Sequence, residues 1–182
     1  MSFQETGRFV QPEVISTHFH FREGEVIADF GAGSGYFLAA LSQLVGPEGR
    51  VYACDIQKTL VEKLGIIAQE QRLSNIEPLW CDLEAIGGTK LADGVLDGGV
   101  LINTLFQIED KETVLQELAR VIRPGGKLFV VDWTESFAGL GPQPGAVIDA
   151  LTVQSLAEAQ GFAFDRTFPA GDHHYGSAFR RS

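Results

Sequence analysis

An apolar run, Glu25–Phe30, leads straight into Gly31-Ala32-Gly33-Ser34-Gly35, three glycines at every second position. Behind them Phe37, Leu38, Leu41, Leu44 and Val45 repeat at the spacing of one helical face. Strand, glycine turn and helix in that order leave little freedom. Glycine serves where backbone must turn tightly or approach a ligand closely. In an open α/β sheet this first turn lies at the carboxyl ends of the strands, beside the point where the strand order reverses.

The same alternation continues along the chain. Arg50–Cys54, Ile76–Trp80, Val95–Ile102 and Lys127–Asp132 are short apolar runs with strand character. Leu60, Val61, Leu64, Ile67 and Ala68 form a helical face between them, and so do Val114, Leu115, Leu118, Val121 and Ile122. Asp110 is the expected N-cap of the latter helix, and Pro124-Gly125-Gly126 its expected stop. Alternating strands and helices predict parallel strands with right-handed crossovers, hence a doubly wound, mostly parallel α/β sheet. The pattern changes near the end. Thr152–Gln160 reads as a helix capped by Thr152 and ended by Gly161. Phe162–Phe168 and Tyr175–Arg180 have no helix between them and predict an antiparallel hairpin. Gly98-Gly99 interrupts the fourth strand, which implies either a close backbone approach or a locally weak strand.

The 182 residues suit a single domain and show no repeat or linker. We divide them into a flap and helix (1–24), a core (25–132), a long connection (133–150) and a terminal helix with hairpin (151–182). A net charge of −10, with Arg180-Arg181 as the densest basic spot, disfavours nucleic acid as a partner. No run is long and apolar enough for a membrane span, and the first residues carry no leader pattern. Cys54 and Cys81 make no disulfide framework, so a cytoplasmic protein with reduced thiols is expected.

The chemistry centres on the glycine turn. Asp55 ends the second strand, 24 residues beyond Gly31, where a carboxylate can accept hydrogen bonds from both ribose hydroxyls of an adenosyl ligand. Two cofactor classes share this layout, the dinucleotides and S-adenosylmethionine. A dinucleotide fingerprint needs its third glycine one residue later than Gly35. Asp29, two residues before Gly31, would repel a pyrophosphate and would suit a cationic amino group with a sulfonium.

Asp29-Phe30-Gly31-Ala32-Gly33-Ser34-Gly35 resembles the first motif of the class I S-adenosylmethionine-dependent methyltransferases. Val51-Tyr52-Ala53-Cys54-Asp55 resembles their second strand with its ribose-binding acid. Trp80-Cys81-Asp82-Leu83 resembles the segment whose Asp reaches the adenine amino group, and Arg120–Leu128 resembles the helix end and fifth strand. The nearest pattern is that of the ubiquinone- and menaquinone-biosynthesis methyltransferases. The resemblance implies a seven-stranded Rossmann-like sheet of order 3-2-1-4-5-7-6 with the seventh strand antiparallel. It implies S-adenosylmethionine as cofactor, held by Asp29, Gly31, Ala32, Gly33, Gly35, Asp55, Ile56, Asp82, Leu83 and Asn103. The activity it implies is methyl transfer, which we expect to be directed at a small molecule.

Several residues stand outside these motifs. Asn103-Thr104-Leu105-Phe106 follows the fourth strand and either touches cofactor and substrate or merely satisfies local backbone. His173 and His174, in the hairpin turn, are candidate general bases, with Asp172 able to fix a tautomer. His18 and His20 precede the first strand and should lie at its amino end, away from His173 and His174, so no metal site is expected. Cys54 and Cys81 are expected to be small buried hydrophobes. Trp133–Ala150 is long enough to act as a substrate lid, and Thr6–Pro12, with Phe9, could cover the cofactor. Rival readings are a nicotinamide-dependent oxidoreductase, a non-catalytic cofactor-binding subunit, and a methylase of RNA or protein.

Overall fold

The computed structural model describes residues 10–137 and 141–182. Seven strands form one sheet: β1 (Val26–Phe30), β2 (Arg50–Asp55), β3 (Ile76–Trp80), β4 (Leu96–Ile102), β5 (Ile122–Trp133), β6 (Phe162–Pro169) and β7 (His174–Arg181). Their order is β3-β2-β1-β4-β5-β7-β6. β1 to β5 pair in parallel, and β7 runs antiparallel to both β5 and β6. This is the topology that the family resemblance implies.

Alternation along the strands sends side chains to two covered faces. Ile27, Val51, Val100 and Phe129 pack with Ile15 of α1 (Pro12–Ile15) and with Leu41 and Val45 of α2 (Leu38–Val45). On that face Leu38 and Ala53 also meet Leu64 of α3 (Lys58–Glu70). Ala28, Phe30, Leu128, Val130, Phe162 and Phe179 pack with α4 (Lys111–Val121) and α5 (Ala150–Ala159) on the other. The glycine pair in β4 marks close approach, not weakness. A Cβ on Gly98 would stand 2.4 Å from Lys127 O, and one on Gly99 2.3 Å from the Phe30 ring.

Three details differ from the sequence expectation. α4 is capped by Asp110, which accepts from Thr113 N at 3.0 Å, but it ends at Val121. Pro124-Gly125-Gly126 therefore lies inside β5, where the ladder to β4 shifts register between Leu96 and Gly98. α5 begins at Ala150 and is capped by Asp149, not Thr152. Asp149 Oδ1 accepts from Leu151 N and Thr152 N at 3.0 Å each, while Thr152 donates its hydroxyl back to Asp149. A carboxylate so placed satisfies two of the free helix-end donors.

Between β3 and β4 there is no helix but a chain of turns over residues 82–95. Glu117, fully buried on α4, holds it. Its carboxylate accepts from Gly87 N at 2.8 Å, Thr89 N at 3.1 Å and Thr89 Oγ1 at 2.6 Å. Arg120 bridges Glu117, Asp93 and Leu91 O. Among the described residues no helix is long and apolar enough to cross a membrane.

Candidate functional site

The β1–α2 turn is held open by backbone bonds. Gly31 N and Ala32 N both donate to Cys54 O, at 2.9 and 2.8 Å. Gly31, Gly33 and Gly35 have φ of 82, 54 and 79°, a region that favours glycine. Gly35 serves packing: a Cβ there would stand 3.0 Å from Leu64 and 3.1 Å from Leu38. Asp55, at the end of β2, accepts from Gly33 N at 3.0 Å with one oxygen and from Gln57 N at 2.8 Å with the other. The side chain is thus locked before any ligand arrives.

A cleft of about 380 Å³ opens at these strand ends. Gly31, Gly33, Asp55, Ile56, Asp82 and Leu83 line it, six of the ten residues expected to hold the cofactor. Asp29, Ala32, Gly35 and Asn103 lie outside its lining. Gln57, Glu84, Thr104 and Gln107 line it as well. Of these only Thr104 lay in a segment that the sequence singled out. The others come from turns whose course no periodicity reveals. Glu84 has a second task, since one of its oxygens accepts from Glu109 N and Asp110 N at 3.0 and 2.7 Å.

Beside the cleft the buried carboxyl groups are perturbed. Burial, and then the charge of Asp55, push Asp29 up to about 7. Burial also raises Asp132, at the end of β5, to about 6, against hydrogen bonds from Trp133, Phe106 and Leu105 N–H groups. Asp132 thereby pins the turn after β4. Asn103 sits in that turn at φ 52°, and its N–H donates to Val131 O at 2.8 Å. Its Oδ1 is buried without a hydrogen-bond partner, so the side-chain oxygen does not serve local backbone.

The two hairpin histidines part ways. His173 Nδ1 lies 2.9 Å from Glu135 Oε1, and its ring stacks on Phe137 at 3.8 Å between centroids. His174 is 6% exposed and packs against Trp133 at 4.2 Å, with neither ring nitrogen hydrogen-bonded. Burial, then the neighbouring His173, push it down to about 4. Such an imidazole is neutral at pH 7 and ill matched to the proton-accepting role expected of it.

His18 does not keep to the amino end of the sheet as expected. The segment before β1 crosses the sheet face, so that His18 stacks on Phe168, near the carboxyl end of β6, at 5.4 Å. His20 lies 3.3 Å from Arg166. Among the described residues no three His, Cys, Asp or Glu side chains are grouped to hold a metal ion. Cys54 and Cys81 are buried free thiols, and a hydrogen bond between them together with burial raises the Cys54 thiol. Residues 6–9 of the expected flap lie outside the described residues, as do 138–140 of the long connection.

Comparison with known proteins bears on this geometry. A methyltransferase-domain family model matches residues 21–159. The ubiquinone/menaquinone biosynthesis C-methyltransferase of Klebsiella pneumoniae is 32% identical over 118 residues, covering 63% of this chain and 45% of that protein. The enzyme of that name from Pasteurella multocida is 28% identical over 121 residues, covering 63% and 42%. The chain thus spans less than half the length of the curated relatives it matches. The crystal structure of an S-adenosylmethionine-dependent methyltransferase from Aquifex aeolicus superposes with a TM-score of 0.87 at 28% identity, over 96% of this chain and 91% of that one. The [4+2]-cyclase SpnF shares the fold, with a TM-score of 0.78 at 13% identity over 93% and 80%. Fold alone therefore does not select a reaction, whereas the family match extends through the glycine turn, Asp55 and Asp82. The chain belongs to the methyltransferase-domain family.

Proposed function

We propose that the protein transfers a methyl group from S-adenosylmethionine to a small-molecule acceptor. The observation that carries this reading is the charge of the cleft. Its lining contains three carboxylates, Asp55, Asp82 and Glu84, and no Lys, Arg or His. A dinucleotide would bring a pyrophosphate into that field, at a Coulombic cost. A neutral adenosyl group with a cationic amino-acid tail fits it. Gly31, which leaves no room for a side chain against Thr104, supplies the backbone face such a ligand needs.

In this reading Asp55 accepts the ribose hydroxyls while Gly33 N and Gln57 N hold it in place. Asp82, itself bonded to Glu84 N at 3.0 Å, accepts from the adenine amino group. The unpartnered Oδ1 of Asn103 accepts from the ammonium group. The bound cofactor supplies an activated methyl on a sulfonium. The protein's contribution is alignment of the acceptor with the breaking bond, and this can supply several kcal/mol of barrier lowering. The names of the curated relatives favour a carbon acceptor.

Calorimetry with S-adenosylmethionine, S-adenosylhomocysteine and NADH tests the cofactor. The first two should bind, and Asp55→Ala should weaken them roughly 10- to 100-fold, the range for a lost charge-assisted hydrogen bond. Tight NADH binding without S-adenosylmethionine binding overturns the reading. Methyl-labelled cofactor incubated with a small-metabolite pool tests transfer. Binding with no labelled product would mark a non-catalytic binding protein.

A further inference from the structure

Two adjacent buried groups have no hydrogen-bond partner and no role toward the cofactor, the Tyr175 hydroxyl and the His174 ring. His174 is 94% buried by its 6% exposure, and neither Nδ1 nor Nε2 has a hydrogen-bond partner. Leaving a buried polar group unpaired is costly, and native cores rarely tolerate it without reason.

Its position supplies a reason. His174 opens β7 and pairs with Trp133 at the carboxyl end of β5. One strand further, Asn103 N bonds to Val131 O, and Thr104 closes on Gly31. The idle imidazole thus lies at the same end of the sheet as the cofactor cleft, two strands from the glycine turn's partner β4. Its surroundings are apolar and aromatic: the Trp133 ring lies beside it, and two residues along β7 the Phe168 ring lies over Gly176.

The charged group that acts on its ring is the neighbouring His173. From Leu128 to Asp165 the chain contains no Lys or Arg. Asp132, Glu135 and Asp172 stand near these strand ends, but Glu135 engages His173 and Lys111 acts on Asp132. A carboxylate or phosphate entering here would bear the cost of burying a charge beside a neutral imidazole and an indole. An uncharged molecule would not.

Resting on the methyl-transfer reading, we propose that His174 and Trp133 form the acceptor subsite, and that it takes an uncharged acceptor whose hydroxyl or carbonyl hydrogen-bonds the His174 ring. A neutral imidazole offers one N–H donor and one nitrogen acceptor, so either group finds a partner. Burial keeps the ring neutral, with its pKa at about 4, and the subsite adds no charge of its own. Trp133 closes one side, and its indole is in turn covered by Gly141, where a Cβ would stand 2.7 Å from the ring.

The test uses the full chain labelled with 15N-histidine and saturated with S-adenosylhomocysteine. It is titrated with 4-methylphenol and with its anionic counterpart of similar shape, 4-methylbenzoate. The phenol should shift a His174 ring nitrogen, and the benzoate should bind at least tenfold more weakly. His174→Phe should lower phenol affinity at least tenfold and leave S-adenosylhomocysteine affinity unchanged. His174→Gln, which keeps a donor and an acceptor, should retain most of the phenol affinity. If S-adenosylhomocysteine binds but the phenol leaves His174 unmoved, or the benzoate binds equally well, the subsite is overturned. If S-adenosylhomocysteine does not bind, the methyl-transfer reading falls instead. Should His174→Phe fail to fold, the wild-type ring shifts and His174→Gln decide.

Discussion

Thr104 fills the space that a side chain on Gly31 would need. A Cβ there would meet Thr104 Oγ1 at 2.7 Å and Cγ2 at 2.8 Å. Thr104 Oγ1 is itself held by Ile102 O at 3.0 Å, so it does not swing away freely. The end of β4 is thus keyed into the glycine turn of β1, across the point where the strand order reverses.

That keying gives a prediction with an internal control. Gly31→Ala suffers both a φ of 82° and the clash with Thr104. Gly24 has a φ of 83° but nothing within 4 Å of a new Cβ. Gly24→Ala should cost about 1 kcal/mol, the strain of left-handed backbone alone. Gly31→Ala should cost at least about 1 kcal/mol more. Thr104→Ala in the Gly31→Ala background should recover part of the difference, read as a coupling energy in urea unfolding. Equal losses at both glycines would mean that Thr104 yields.

Much of this architecture was legible in the sequence because the same residues that bury also punctuate. Gly31, Asp55 and the apolar runs mark strand, turn and crossover at once, so a mostly parallel sheet with a cleft at its first turn follows, while the strand order rests on the family resemblance. What stayed hidden depends on contacts between segments distant in the chain. Nothing local marks Glu117 as the anchor of residues 87–89, because a glutamate on a helix reads as a solvated face. The cap of α5 was misplaced by three residues because Thr152 and Asp149 are both good caps, and their mutual hydrogen bond decides only in three dimensions. His18 was placed at the wrong end because a connection preceding a strand can cross the sheet face when aromatic residues such as Phe19 and Phe21 bury there.

Asp29 makes the protein pH-sensitive in a direction that can be worked out. Its folded pKa of about 7 lies above the unfolded value of about 3.9. The folded state therefore binds the extra proton, and this contribution is most favourable below about pH 4. Stability falls as pH rises from about 4 to about 7, by an amount on the order of 4 kcal/mol for an isolated group. Asp132, at about 6, adds to the lower part of that window. Asp29→Asn should flatten the slope between pH 6 and 7 in chemical unfolding. A cationic ligand favours the ionised carboxylate, so S-adenosylmethionine binding at pH 6.5 should release protons. Calorimetry in buffers of different ionisation enthalpy measures that release, and a release unchanged by Asp29→Asn would exclude Asp29 as its source.

Glu117 behaves oppositely. Burial alone would raise its pKa, but hydrogen bonds from Arg120, Thr89 and Gly87 outweigh burial and push it down to about 2. This contribution to stability is present above the unfolded pKa of about 4.3 and is lost as pH falls towards 2. Its size is on the order of 3 kcal/mol. Glu117→Gln should remove most of that acid slope. Because Glu117 anchors the turns that follow Asp82 and Leu83, the variant should also weaken S-adenosylmethionine binding, while its effect at Gly31 should be nil. Unfolding between pH 2 and 5, paired with calorimetry at pH 7, checks both. A variant with wild-type acid slope would show the network to be energetically idle.

The connection after β5 is fastened first at His173, by Glu135 and Phe137, and again further along. Gly141, at φ 73°, lies flat against the Trp133 indole. Ile148 is buried with the α5-side core, and Asp149 caps the helix. Loops that cover a site before reaction commonly open on microsecond to millisecond timescales. If this connection admits the acceptor past Trp133, amide exchange over residues 134–137 and 141–147 should be fast in the free protein. It should slow when S-adenosylhomocysteine and 4-methylphenol are both present, and much less with either alone. Gly141→Ala should loosen the contact with Trp133, since the new methyl has no room and the backbone angle is strained. Exchange in this segment should then rise and phenol affinity should drop, with cofactor affinity kept. Strong protection already present in the free protein, and unchanged by either ligand, would show the connection to be a fixed wall.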